Sequence, residues 1–285
     1  MARQQLTHAF QASFVPVVGR PTASLRTLPN VLIAGGQRCG TTSMYRALIQ
    51  HPAVLRPVGR KGVHYFDTAY DQGDQWYRAH FPLRATVDLV RRRTGMAPVV
   101  VESSPYYGFH PLAAGRINAD LPGVKLIVLI RDPVERAYSA HAHELARGFE
   151  TEPFERALEL ESQRLEGQDD LLTRNPHLVS LEHQHHAYVA RGHYVELLRR
   201  LEGVFGRRRL HVVDSHRFFA EPEAIWTETL EFLDLPLAGD PVFERHNARP
   251  RSPMAEPIRH QLEAHFRPWD DELAEWLGWV PSWRA

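Results

Sequence analysis

The run Gly35-Gly36-Gln37-Arg38-Cys39-Gly40-Thr41-Thr42 combines spaced glycines, one cation and paired hydroxyls. Glycines let successive backbone N–H groups turn toward one point, and a helix starting at once adds the positive end of its dipole. That chemistry suits a phosphate-like anion. Gly35 and Gly40 are spaced as in G-x-x-x-x-G-K-[ST], and Thr42 holds the Ser/Thr place. Thr41 stands where nucleotide-hydrolysing loops carry the Lys that reaches the β- and γ-phosphates. Here the cation sits inside the loop, as Arg38. The loop therefore suits an anion but lacks a main part of ATP chemistry.

A second anion motif is Arg131-Asp132-Pro133-Val134-Glu135-Arg136-Ala137-Tyr138-Ser139. An Arg fork followed one to two helical turns later by a hydroxyl suits a phosphate monoester. Arg136 is assigned a supporting role, through an ion pair with Asp132 or Glu135. Lys61 is one of only two lysines, the other being Lys125, in a chain whose remaining basic residues are arginine. An imidazole such as His64 is suited to accepting a proton near neutral pH.

Alternating strands and helices would position these groups. Val31-Leu32-Ile33-Ala34, Val99-Val100-Val101, residues 126–130 and residues 210–213 are short apolar runs suited to buried parallel strands. Helical patterns follow at residues 43–50, 111–120, 133–147 and 223–233, with more helix over 152–204 and a last amphipathic helix over 256–277. Pro133 fits a first helical turn, where its missing N–H costs nothing. The alternation implies an α/β fold with a central parallel sheet flanked by helices on both faces. Residues 1–29 are expected to form a peripheral or poorly ordered arm, and residues 30–285 a single domain. Arg131 then falls at a strand's carboxyl end, where such sheets bind ligands.

Composition narrows the class. Lys+Arg and Asp+Glu are both 34 in a chain of 285 residues, so the net charge is zero and a general nucleic-acid binder is disfavoured. Cys39 is the single cysteine, which excludes an intrachain disulfide and suits a reducing cytoplasm. No apolar run approaches the roughly 20 residues of a transmembrane helix, and the N-terminus lacks a signal core. A cytoplasmic protein is expected. The 17 histidines include His141 and His143, and His183, His185 and His186, but no metal-ligand spacing, so no metal is expected.

Taken together, the two anion motifs resemble those of the sulfotransferases that use 3′-phosphoadenosine 5′-phosphosulfate (PAPS). Residues 35–43 resemble their 5′-phosphosulfate loop, Lys-x-Gly-Thr-Thr, and residues 131–139 their 3′-phosphate motif, Arg-Asp-Pro-x-x-Arg-x-x-Ser. The resemblance extends through Pro52, Lys61-Gly62-Val63-His64-Tyr65-Phe66-Asp67, Glu102-Ser103-Ser104-Pro105-Tyr106, Arg191-Gly192-His193-Tyr194, Pro268 and Leu277-Gly278. The branch it resembles is the one related to heparan sulfate and bacterial carbohydrate sulfotransferases.

The resemblance implies a P-loop NTPase-like three-layer fold, and PAPS as sulfonate donor. It implies donor binding by Gly36, Arg38, Cys39, Gly40, Thr41, Thr42 and Ser43, and 3′-phosphate binding by Arg131 and Ser139. A basic loop at Arg249 and Arg251 would close over that phosphate. Arg38 stands for the loop Lys that assists the leaving phosphate oxygen. Relatives often read Lys-Glu-x-His-Phe-Phe, with the Glu as base; Gly62 replaces it here. His64 or Glu102 is then the base, and Lys61 and Arg38 hold developing charge. Ser103, Ser104, Tyr106 and Tyr107 are expected to line the acceptor side, with Trp76 and Tyr77 near the mouth. The acceptor is a glycan or other small molecule. Two further readings stand beside this one: a P-loop kinase or hydrolase, and a non-catalytic nucleotide binder that has lost its base.

Overall fold

The computed structural model describes residues 15–239, 241–244 and 252–285. Strands β1 (Val31–Gly35), β2 (Val54–Leu55), β3 (Val99–Ser103), β4 (Lys125–Ile130) and β5 (Leu210–Asp214) form one sheet in the order β2-β3-β1-β4-β5. Every pairing is parallel. Parallel strands need both faces covered, which is why these are continuous apolar runs. All residues of β1 and β3 are buried. The helices of eight or more residues are α1 (Thr41–Leu48), α2 (Arg84–Thr94), α3 (Ala113–Asp120), α4 (Pro133–Arg147), α5 (Phe154–Leu165), α6 (Tyr194–Phe205), α7 (Pro222–Phe232) and α8 (Glu256–Leu277). This is the P-loop NTPase-like three-layer α/β fold.

The boundaries have local causes. Asp132 caps α4 by accepting from Val134 N–H at 2.9 Å and Glu135 N–H at 3.4 Å. Pro133 opens that helix, and Gly148, at φ 77°, ends it. The sequence did not reveal β2, a two-residue edge strand that lacks any periodic signal.

Chain direction places the site. From β1 the chain crosses to β2 at one edge, whereas from β4 it crosses to β5 at the other. The carboxyl ends of β1 and β4 are thus the point where connections diverge, the usual ligand crevice of such sheets. Residues 36–40 and Arg131 both start there. The main core surrounds the sheet. A second cluster joins α4, α5 and α8 through Ala137, Ala140, Phe154, Leu262 and Phe266. Before β1, Arg26 bridges to Leu83 and donates to the Phe81 carbonyl at 2.6 Å, laying this segment against residues 79–83. Among the described residues, no helix is long and apolar enough to cross a membrane.

The carboxyl end of β5 is held by Asp214. Its buried carboxylate accepts from His216 N–H at 2.8 Å, and from the Ser282 N–H at 2.9 Å and hydroxyl at 3.0 Å. Asp214→Ala leaves several of these donors unpaired, and should lower unfolding free energy by about 2–4 kcal/mol. Urea denaturation reads this directly; an unchanged midpoint would show that the C-terminal tail is not anchored through Asp214.

Candidate active site

The loop after β1 is a closed turn. Gly36 N–H donates to the Leu129 carbonyl of β4 at 2.7 Å, and Cys39 N–H to the Gly36 carbonyl at 3.2 Å. Arg38 and Gly40 take the left-handed backbone, with φ of 68° and 89°. A Cβ at Gly40 would stand 3.3 Å from the Phe219 ring and the Ser215 hydroxyl, so that position requires glycine both for its φ and for space. Thr41, Thr42 and Ser43 then form the first turn of α1, whose N–H groups have no acceptor within the helix. The Cys39 side chain points inward to the Tyr194 hydroxyl, 3.5 Å away, and burial pushes its thiol pKa up. Its Sγ also lies 3.7 Å from the Gln37 carbonyl of the turn.

Lys61 supplies the cation over this turn. Its ammonium donates to Thr42 Oγ1 at 3.1 Å and reaches Thr41 Oγ1 at 3.4 Å. It has no carboxylate partner among the described residues, and burial lowers its pKa to about 8. Its carbonyl accepts from Ser103 N–H at 3.1 Å, which ties it to the end of β3.

The Arg38 side chain goes elsewhere. Its Nε donates to Ser139 Oγ at 3.2 Å, and its Nη1 lies 3.4 Å from His143 Nδ1. Ser139 and His143 are one turn apart on α4, on the same face. Arg131 Nη1 reaches the Arg38 carbonyl at 3.5 Å, while Nη2 lies 3.7 Å from Glu135. Arg38, Arg131 and Ser139 therefore converge at the end of β4, and Lys61, Thr41 and Thr42 beside them at the start of α1. Arg136 does not pair with Asp132 or Glu135. Fully buried, it donates to the Tyr188 carbonyl, while Glu135 takes Arg259 at 2.6 Å.

Glu102 lies behind the site. Its side chain has no exposed surface and accepts four hydrogen bonds: from Val63 N–H at 2.8 Å, Ser104 Oγ at 2.6 Å, Tyr107 OH at 2.9 Å and Tyr77 OH at 2.7 Å. It braces the 61–64 loop. Tyr77, Tyr107, Ser103 and Ser104 are buried in or beside this network, so they do not line an acceptor surface. Tyr106 is also buried, its hydroxyl 2.6 Å from His183 Nδ1.

His64 sits at the rim of the same loop. Its N–H donates to Ser104 Oγ at 3.1 Å, and its Nδ1 lies 2.9 Å from the buried carboxylate of Asp67. Against a carboxylate Nδ1 is the donor, so a neutral ring carries its lone pair on Nε2. Asp67, three residues on, has no role assigned by the sequence motif. The i, i+3 spacing from His64 was the available signal, as i, i+4 from Ser139 was for His143.

The predicted histidine clusters are engaged otherwise. His185 bonds Glu144 at 2.9 Å, His186 the Phe149 carbonyl at 2.8 Å, and His141 the Glu152 carbonyl at 2.8 Å. Burial pushes the Glu144 carboxyl up, but the His185 hydrogen bond and the Arg147 charge together hold it below its ordinary value. Glu144 also accepts from Gln37 of the loop at 3.4 Å. Buried Arg191 donates to Gln37 as well, and lies over the Tyr106 and Phe109 rings. Neither Gln37 nor Arg191 was singled out from sequence as a support. No group of three or more His, Cys, Asp or Glu able to hold a metal occurs among the described residues. Arg249 and Arg251 lie outside the described residues.

Gly62 has a physical reason to be glycine. A Cβ there would lie 2.4 Å from the Ser103 carbonyl oxygen and 2.8 Å from Ser104 Oγ. No side chain, glutamate included, fits without moving the loop. Gly62→Ala should cost about 1–3 kcal/mol and displace Lys61. Urea denaturation with calorimetric titration of an adenosine bisphosphate tests both parts, and wild-type values would refute the steric account.

The model of the sulfotransferase domain matches residues 28–249. The membrane-associated sulfotransferase kil1 of Dictyostelium discoideum is 32% identical over 127 residues, 45% of this chain and 24% of that protein. Heparan sulfate glucosamine 3-O-sulfotransferase 6 of Homo sapiens is 36% identical over 132 residues, 45% of this chain and 35% of that protein. The matches span about a quarter to a third of the length of these relatives. A solved sulfotransferase from Alicyclobacillus acidocaldarius aligns with TM-score 0.67 and 27% identity, over 91% of this chain and all of the other. The family match runs from the strand before the anion loop to beyond α7, across every described residue of the two anion motifs, and the chain belongs to the sulfotransferase domain family.

Proposed function

We propose that the protein transfers a sulfonate group from PAPS to a hydroxyl or amine of an acceptor, a glycan or other small molecule. The observation that carries this reading is Lys61, a half-buried cation without a carboxylate partner among the described residues, held against the Thr41 and Thr42 hydroxyls at the start of α1. An anion at this turn would meet the ammonium, two hydroxyls and the helix N–H groups together. A second cationic cluster, Arg38 and Arg131 with Ser139, fits a second phosphate on the same ligand. A glycan acceptor is favoured by the heparan sulfate relative named above.

The side-chain directions divide the labour. Lys61 and the first turn of α1 hold the sulfonate and its bridging oxygen, the role that Arg38 would have by position in the loop motif. Arg38, turned toward Ser139, holds the 3′-phosphate with Arg131. PAPS, when bound, supplies an activated sulfonate on a phosphate leaving group. His64 Nε2 accepts the proton of the acceptor nucleophile, and Asp67 fixes the imidazole by its contact with Nδ1. Glu102, with all four hydrogen bonds directed inward, positions Lys61 and His64. Preorganised cations and N–H groups supply the electrostatic stabilisation. Kinase or hydrolase chemistry is disfavoured, because residue 41 is Thr where those loops carry Lys.

Calorimetric titration of adenosine 3′,5′-bisphosphate against ADP, without metal, tests the donor. The bisphosphate should bind more tightly, and Arg38→Ala should erase that preference. Equal binding of the two by wild type, or preference for ADP once Mg²⁺ is added, would overturn the donor assignment. The Lys61 ammonium is fully charged well below its pKa of about 8, so bisphosphate affinity should be constant there and fall above it, by up to about tenfold per pH unit. Lys61→Arg stays charged and should abolish that slope. With an acceptor in hand, His64→Asn should lower kcat by about 10²–10⁴-fold with little change in bisphosphate affinity. A variant of normal turnover would remove His64 as the base.

A further inference from the structure

Two buried guanidinium groups lie behind the loop that follows β1. Arg136 has no exposed surface, and Arg191 is buried as well. Neither has an ion-pair partner among the described residues. Arg191 is well held: it donates to the Gln37 side chain and to the His183 and Gln184 carbonyls, and only its Nε lacks a partner. Arg136 donates to the Tyr188 carbonyl alone, and its Nε and Nη1 are both buried without a partner. A buried charge so poorly compensated is costly, and apolar side chains of similar volume would be at least as stable in its place.

Its place in the fold gives the charge a use. Arg136 precedes Ser139 by three residues, which sets the two on the same side of α4. Ser139 accepts from Arg38 at 3.2 Å. Arg136 also stands near Cys39 of the loop: burial raises that thiol's pKa, while the Tyr194 hydrogen bond and the Arg136, Arg131 and Arg38 charges act to lower it. Arg136 is thus one layer behind the two cationic clusters. The buried carboxylate of Glu161 feels the Arg136 charge but is used otherwise. It accepts from Val189 N–H at 2.7 and 2.9 Å and from Ala190 N–H at 2.9 Å. Glu144 is taken by His185 at 2.9 Å and Arg147 at 3.2 Å.

With no exposed surface, Arg136 cannot touch a ligand in the cleft. Its field can reach one, because buried surroundings screen a charge far less than water does. An anion bound at the loop would supply the compensation that the protein itself does not. We propose that Arg136 is a binding residue acting at a distance: its charge raises the affinity of the loop for the donor's phosphates, at a cost in stability to the empty protein. The proposal rests on the donor reading given above.

Two variants of the full chain test this by calorimetric titration and urea denaturation. Arg136→Met removes the charge at similar volume. It should bind adenosine 3′,5′-bisphosphate about tenfold more weakly or worse, with a urea midpoint equal to that of wild type or higher. Arg136→Gln, which keeps an N–H for the Tyr188 carbonyl, should show the same loss of affinity. The loss should follow ligand charge, and so be smaller for adenosine 5′-phosphate than for the bisphosphate. Unchanged bisphosphate affinity in both variants would overturn the proposal. So would a lowered midpoint with equal losses for the two ligands, the pattern of a purely structural residue. The readout is ligand charge, not the position of the second phosphate. ADP can therefore replace the bisphosphate, and a protein that failed to prefer the bisphosphate would refute the donor reading while leaving this test intact.

Discussion

A buried carboxylate organises this protein. Glu102 closes β3, has no exposed surface, and gathers four donors from three separated stretches of chain. An acceptor in such a place is costly unless every lone pair is used, so the network is complete or the loop does not form. Burial first, and the Glu102 charge second, push the Tyr77 and Tyr107 hydroxyls well above their ordinary pKa, which keeps them as donors. The Val63 N–H and the Ser104 hydroxyl then fix the 61–64 loop against the sheet. Lys61 and His64 owe their places to a residue that itself faces away from solvent.

The two cationic clusters depend on the sheet in a different way. Each is made of a strand's carboxyl end and the first turn of the helix that follows. β1 and β4 are neighbours, so the two ends lie side by side. Gly36 joins them through the Leu129 carbonyl, and Arg38 spans them through Ser139. A left-handed backbone at a non-glycine residue such as Arg38 is strained, and strain of this kind collects where geometry serves binding. Beneath the pair, Gln37, Glu144, Arg191 and His185 form a polar layer that links the loop to α4.

The different placements of the two cations have a chemical sense. An Arg in the loop offers a planar fork that suits a phosphate oxygen pair, while a Lys is a compact charge that can sit against two hydroxyls. The chain is arginine-rich, yet lysine stands at the position nearest the threonines. Burial that lowers its pKa also strengthens its attraction for an anion, because less water competes.

Much of this was legible in the sequence because its causes are local. Buried parallel strands must be apolar runs, so β1, β3, β4 and β5 stood out. Asp132-Pro133 and Gly148 marked both ends of α4, since capping and left-handed φ are properties of single residues and their neighbours. The spaced glycines and the Arg-Asp-Pro turn marked the two loops that the fold sets side by side at the carboxyl ends of β1 and β4, and the motif resemblance indicated which family. What the sequence left open depended on contacts between distant segments. Whether Arg38 turned to the threonines or to Ser139, why residue 62 must be glycine, and whether Glu102 faced the cleft or the core were decided by how β3, α4 and the 61–64 loop pack. A side chain's type fixes what it can bond, but only the tertiary structure sets which partner lies within about 3 Å.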